Sequence, residues 1–271
     1  MTSSSYADVL QRIQAALDAA RAVFARFTPG EIATEYKVGH VHDPVTEADR
    51  ALDAVLRQNL LRDGEGWLSE ETADNLSRLE KDRVWIVDPL DGTREFVLGL
   101  PEFCVSVGFV ESGKPVAGGI YNPATNQNFL GAIDAGVLYN GRPSAPSQRT
   151  SLAGALVLAS RSEVKRGEWK RFGHAPFKIQ AMGSVAYKLA LVAAGVADIT
   201  FTLTPKHEWD VAAGAALVTA AGGFVCKPDA SPLRCNQPDA LLPGLLAGGP
   251  FLREELLATV HSLVPPRERK R

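Results

Sequence analysis

Val84-Trp85-Ile86-Val87-Asp88-Pro89-Leu90-Asp91-Gly92-Thr93-Arg94-Glu95-Phe96-Val97 is the stretch on which the reading of the whole chain turns. Its apolar start, 84–87, has the composition of a buried strand, and Asp88 follows at the carboxyl end, where open α/β sheets place their ligands. Pro89 fixes one backbone angle and lacks an N–H, so the strand is predicted to stop there. As the chain turns, Asp88 and Asp91 can converge, and the amides of Gly92 and Thr93 can face an anion. Two carboxylates beside exposed amides suit a hard cation that bridges to a phosphate. An Asp-rich turn with Gly92 in a strained conformation accounts for the same residues.

With 271 residues the chain can bury a substantial core, as one large domain or two closely packed ones. A net charge of −2 gives no electrostatic reason to expect a nucleic-acid polymer or an anionic membrane as partner. Cys104, Cys226 and Cys235 cannot all pair and lack metal-site spacing, which favours a reduced, cytoplasmic protein. Residues 1–25 carry charges throughout and lack an apolar signal core, and the run 105–110 is too short to span a bilayer. The basic tail 267–271, after Pro265-Pro266, reads as a frayed terminus.

Working outward, apolar residues recur at helical spacing over 6–27, and Pro29-Gly30 stops that helix. The polar connection holding Lys37, His40, His42 and Asp43 reads as an exposed loop or hairpin. Thr46 is placed to cap a second helix, with Asp49 in the capping-box position. Asp49 can serve that end simply as a carboxylate on the helix's positive pole, or as a base or orienting group for water. Glu70 and Glu71 arrive on a short apolar run before a helix around Leu76 and Leu79. Beyond the central stretch, strands over 103–110, 115–121, 127–130 and 136–139 follow one another without an intervening helix, as in an antiparallel meander.

A linker over 140–150 divides the chain into lobes 1–145 and 146–271. In the second lobe a strand at 155–159 precedes a helix over 163–172 and a short strand at 177–180. Ser184 can cap a helix over 185–194, and an extended run, 198–203, follows. Asp210 enters a helix rich in Ala and Gly that ends at Gly222-Gly223, a composition that implies close packing on a sheet. A strand at 224–226, an apolar segment at 241–247 and a helix over 251–263 complete the chain. Acids at element ends in both lobes point to a carboxylate-lined cleft between them.

Glu70-Glu71, Asp88-Pro89-Leu90-Asp91-Gly92-Thr93 and Trp209-Asp210-Val211-Ala212-Ala213-Gly214 together resemble the three signatures of the magnesium-dependent, lithium-sensitive phosphatases typified by inositol monophosphatase. The likeness extends to Asp43-Pro44-Val45-Thr46-Glu47-Ala48-Asp49, to Gly183-Ser184 and to 236–248. It implies an α/β fold with five alternating layers, an α-β-α-β-α sandwich. It also implies two or three Mg²⁺ ions: one held by Glu70, Asp88 and the backbone carbonyl of Leu90, a second by Asp88, Asp91 and Asp210, and a third near Glu70 through water. By the same resemblance Asp49 and Thr93 orient the attacking water, Gly92 and Thr93 offer amides to the phosphate, and Lys37 is a basic residue near the active-site loop. In-line attack by activated water needs no protein nucleophile, so Cys104 reads as a core thiol.

Arg94-Glu95-Phe96 follows the Asp-Gly-Thr signature, where inositol and fructose bisphosphatase relatives usually continue with Thr or Ser and then Asn. Gly-Thr-Arg-Glu-Phe is similar to the branch that removes the 3′-phosphate from 3′-phosphoadenosine 5′-phosphate, as are 159–162 and Gly183-Ser184 with Lys188. Arg161 or Lys188 could then meet the 5′-phosphate, and Glu208 stands near the position of a sugar-hydroxyl contact. The expected activity is a 3′(2′),5′-bisphosphate nucleotidase that yields AMP and phosphate. The alternatives are an inositol, sugar or histidinol monophosphate phosphatase, and a non-catalytic module that binds metal and phosphate. A small phosphorylated metabolite is the expected partner, for a monomer or a homodimer.

Overall fold

The computed structural model describes residues 6–31, 34–36 and 44–264. Seven helices are described: α1 (Ala7–Phe24), α2 (Glu47–Leu60), α3 (Thr93–Val97), α4 (Arg161–Lys165), α5 (Val185–Ala193), α6 (Glu208–Ala220) and α7 (Arg253–Leu263). A short antiparallel pair, β1 (Thr34–Tyr36) with β2 (Pro44–Thr46), precedes the main sheets. The first main sheet has seven strands in chain order: β3 (Gly66–Ser69), β4 (Arg83–Asp91), β5 (Cys104–Glu111), β6 (Lys114–Asn122), β7 (Gln127–Ala132), β8 (Gly136–Tyr139) and β9 (Arg142–Ser144). Only β3 and β4 run parallel; β4 to β9 are antiparallel, with β5 to β8 the expected meander and β9 extending it into the stretch read as a linker.

The remaining described strands of the chain are β10 (Leu156–Ser160), β11 (Lys178–Met182), β12 (Ile199–Thr202), β13 (Lys206–His207), β14 (Phe224–Cys226), β15 (Leu241–Leu242) and β16 (Leu245–Gly248). Five of these form the second main sheet, ordered β11-β10-β12-β16-β14, and β13 pairs separately with β15. The proposed division at 145/146 falls between the two main sheets.

Helices α1 and α2 pack together on one face of the seven-stranded sheet, and α6 packs on its other face against β4, β5 and β6. Beside α6 lies α5, which touches β12 and β16, and α7 covers the far side of the second sheet through Leu252, Leu256, Leu257 and Val260. The layers therefore alternate α-β-α-β-α. Helix α6 is apolar all round because sheets flank it on both sides, and its small residues permit close approach. A Cβ on Gly118 would stand 2.5 Å from the Ala213 carbonyl oxygen, and one on Gly108 would stand 2.8 Å from the Ala213 amide. The middle layer thus tolerates only glycine at these two strand positions.

Three local expectations are corrected. Pro89 does not end its strand: β4 continues to Asp91, with a shift of register against β5 between Asp88 and Asp91. The missing proline donor falls in that interruption of the ladder, where its loss costs no strand hydrogen bond. The helix expected over 163–172 is two pieces, α4 and a 3₁₀ turn at Glu168–Phe172, separated by Gly167 at φ 80°. Around Leu79 the chain forms only the 3₁₀ turn Ser77–Glu80, entered through a left-handed Leu76.

Candidate active site

The register shift in β4 is what shapes the site. It turns Asp88 and Asp91 toward the start of α6, where Asp210 accepts the backbone amide of His207 at 3.1 Å and completes a capping box. Asp88, Asp91 and Asp210 each offer a carboxylate oxygen within 4.8 Å of the other two. Burial, followed by the charges of Glu70, Asp91 and Asp210, pushes Asp88 well above the usual carboxylate range. Asp210 is pushed up in the same way by burial, then by Asp91 and Glu70. Burial raises Asp91 as well, although Ser184 Oγ and the Ala186 amide donate to its Oδ2 at 2.7 and 2.6 Å and pull it back. Three acids so placed repel one another in a dry setting, and a hard divalent cation relieves that repulsion. The donor set, all carboxylate oxygen, fits such an ion.

Glu70 lines the same cleft, of about 210 Å³, but its carboxylate stands outside the group of three. Its backbone extends β3, with the amide donating to Val87 O at 3.3 Å. The Leu90 carbonyl, also at the cleft, accepts the Thr93 hydroxyl at 2.9 Å.

Asp49 reaches the cleft floor through Thr93. The capping box predicted from sequence is present: Thr46 N–H and Thr46 Oγ1 donate to Asp49 Oδ2 at 2.8 and 2.6 Å. The other oxygen, Oδ1, stands 3.2 Å from Thr93 Oγ1 and is the alternative acceptor for the one proton of that hydroxyl. Asp49 therefore caps α2, as expected, and also touches Thr93 of the central stretch. Burial lifts it to about 6 against the hydrogen bonds from Thr46 and Thr93. Gly92 precedes α3 at φ 98°, and a Cβ there would meet the Glu102 carbonyl oxygen at 2.7 Å, so the turn that presents Thr93 requires glycine.

Across the cleft stand the residues expected to meet the leaving group. Gly183 and Ser184 line it, and Ser184, at φ 52°, caps α5 by accepting the Tyr187 amide at 3.0 Å. Lys188 also lines it but is 4% exposed, and its ammonium donates to Ser184 O at 2.8 Å and toward Gly183 O at 3.4 Å. Burial lowers Lys188 to about 8. Arg161 donates from Nη2 to Glu102 Oε2 and stands 3.8 Å from Glu95 Oε1 through Nε. Glu208 does not reach the cleft: it is fully buried and accepts the amides of Asn236 and Gln237 at 2.7 and 3.0 Å, so the expected sugar-hydroxyl contact gives way to a structural tether. Lys37, with His40, His42 and Asp43, lies outside the described residues.

The family model of the inositol monophosphatase family matches residues 6–264. The chain belongs to the inositol monophosphatase family. It is 33% identical over 266 residues to an inositol-1-monophosphatase of Mesorhizobium japonicum, covering 94% of this chain and 96% of that one. Inositol monophosphatase 3 of Solanum lycopersicum is 36% identical over 230 residues, 78% of this chain and 85% of the relative. Among solved structures, the inositol monophosphatase of Anabaena superposes with a TM-score of 0.78 at 28% identity, covering 96% of this chain and 97% of that one. CysQ from Bacteroides thetaiotaomicron, a bacterial member of the family, superposes at 0.74 and 26%, covering 91% and 99%. As a family member the chain is a phosphoric monoester hydrolase that acts on small phosphorylated substrates.

Three charged residues lining this family member's cleft, Arg94, Glu95 and Lys206, were not singled out from sequence as site residues. Glu95 lies along the wall against Gly183, and Lys206 enters from β13, ion-paired at 3.4 Å with the buried Glu163. The Gly-Thr-Arg-Glu-Phe run did signal Glu95, though as a mark of branch rather than as a cleft residue. Lys206 carried no signal, because only the pairing of β13 with β15 brings it to the site. None of the described helices is long and apolar enough to cross a membrane.

Proposed function

We propose that this chain hydrolyses the monophosphate ester of a neutral polyol, of the inositol or sugar class, with Mg²⁺ as cofactor. The observation that carries the reading is the contrast across one cleft: three buried acids crowd together on one side, while the cations on the other are already engaged. Arg161 is paired with Glu102 and Glu95, Lys206 with Glu163, and Lys188 with backbone carbonyls. A second phosphate on the substrate would compete with those partners, whereas a polyol would not. The inositol monophosphatases among its relatives support the same class.

Asp88, Asp91 and Asp210 would hold the metal, with Glu70 and the Leu90 carbonyl as further oxygen donors. Bound there, Mg²⁺ supplies Lewis-acid charge that offsets the phosphate oxygens. The amides of Gly92 and Thr93 orient the phosphate at the start of α3. When Thr93 Oγ1 donates to Asp49, its lone pairs accept a hydrogen bond from water and fix the direction of attack. Asp49, near 6, is ionised at neutral pH and is the proton acceptor through Thr93. The buried free thiols Cys104, Cys226 and Cys235 support a reducing, cytoplasmic setting.

A bisphosphorylated nucleotide is the second reading, favoured by Arg94-Glu95-Phe96 after Asp-Gly-Thr and by the likeness to CysQ. A substrate panel separates the two. The polyol reading expects kcat/KM for inositol 1-phosphate to exceed that for 3′-phosphoadenosine 5′-phosphate by at least ~10-fold, about 1.4 kcal/mol of transition-state discrimination. The reverse order would transfer the assignment to the nucleotide, and Mg²⁺ binding without any turnover would leave a binding module.

A further inference from the structure

Glu95 and Arg161 meet across the cleft in a way that the metal chemistry does not explain. Glu95 stands on α3 two residues beyond Thr93, so it faces the cleft next to the phosphate position. Its side chain lies flat on residue 183: a Cβ there would come within 2.5 Å of both Glu95 Cγ and Cδ, so Gly183 is a condition for this placement. Arg161 begins α4 in the other lobe. Glu102 holds it from behind, accepting both Arg161 Nη2 and the Gly183 amide, the latter at 2.7 Å.

Arg161 Nε stands 3.8 Å from Glu95 Oε1, while the Arg161 side chain is 40% exposed and lines the cleft beside Glu95. The gap is too long for a direct hydrogen bond. A guanidinium edge and a carboxylate lining one cleft side by side suit a hydroxyl, which can accept from a guanidinium N–H and donate to the carboxylate. The second carboxylate oxygen of Glu95 can accept from the neighbouring hydroxyl of the same ring. Burial, then the charge of Asp91, raises Glu95, while Lys188 and Arg161 pull it back, so it stands between the metal acids and the cationic wall.

We propose that Glu95 and Arg161 form a clamp for two adjacent hydroxyls of the leaving group, and so set the preference for polyol phosphates. The clamp rests on the polyol reading above and names the residues that would enforce it. Glu95 acts on substrate binding rather than on the chemical step, because it touches the part of the molecule that does not react.

The test compares inositol 1-phosphate with phenyl phosphate, which has no hydroxyls, in wild type, Glu95→Gln and Arg161→Lys, with folding checked by circular dichroism. In wild type the ratio of kcat/KM values favours inositol 1-phosphate. In Glu95→Gln that ratio falls at least ten-fold, through a higher KM for inositol 1-phosphate and not through kcat. Arg161→Lys keeps the charge but removes the planar guanidinium donors and lowers the ratio in the same way, which preserves the test if Glu95→Gln does not fold. A ratio unchanged in a folded variant overturns the clamp and leaves the polyol reading standing. A wild type with no preference for inositol 1-phosphate overturns both.

Discussion

The two sides of the cleft are built on opposite electrostatic plans. Asp88, Asp91 and Asp210 are buried and crowded without enough cationic charge to neutralise them, so their acids rise. On the facing wall Arg161, Lys188 and Lys206 are buried or half-buried with carboxylates and carbonyls already in hand. A crowded set of like charges is a site waiting for an opposite charge, while a paired set is a surface that needs none. On the polyol proposal, the comparison explains how one pocket would hold ions at one end and a neutral ring at the other.

The sharpest way to break the comparison is to disarm the acid side. Asp88→Asn and Asp91→Asn should each lower kcat by at least ~100-fold, about 3 kcal/mol, with the circular dichroism spectrum intact and the response to added Mg²⁺ weakened. Near-normal turnover in both would remove the metal assignment. Next in size is the acid that serves this side from beneath. Asp49 is raised from 3.8 to about 6, so between those values the native state keeps a proton that the unfolded chain has released. Its contribution to stability is therefore full below the lower value and is lost as pH rises through about 6, by roughly 3 kcal/mol. Asp49→Asn should remove that slope from a plot of unfolding free energy against pH, and it should also remove the acid limb of kcat/KM near pH 6.

Gly118→Ala reaches the acid side from the middle layer. The new methyl forces α6 away from β6 and should cost about 2 kcal/mol in urea unfolding. Because α6 carries Asp210, the Mg²⁺ concentration for half-maximal activity should rise with it. The gentlest change addresses the wall. Glu102→Gln removes one negative charge from behind Arg161, and the ratio of nucleotide bisphosphate to inositol phosphate turnover should rise by roughly three-fold. No change in that ratio would mean that pairing on the wall does not govern selectivity.

Much of this was legible where the physics is local. The Thr46–Asp49 box needs only residues three apart, and both halves of it are present. The meander from β5 to β8 follows from short turns between strands. Pro89 misled because a break in a ladder depends on the facing strand, β5, which the residues around the proline do not reveal. Glu208 misled for a related reason: neighbouring Asp210 points into the cleft, but Glu208 is turned toward Asn236 and Gln237, far along the chain.

By itself the amino-acid sequence determined the chemistry available at each end of the cleft: the acids after β4 and at the start of α6, the small residues that let α6 lie between two sheets, and the family. The tertiary structure alone decided which charges are satisfied. Glu95 against Gly183, Arg161 against Glu102 and Lys206 against Glu163 join segments from different elements, and whether a charge is spent or free depends on what folding brings beside it.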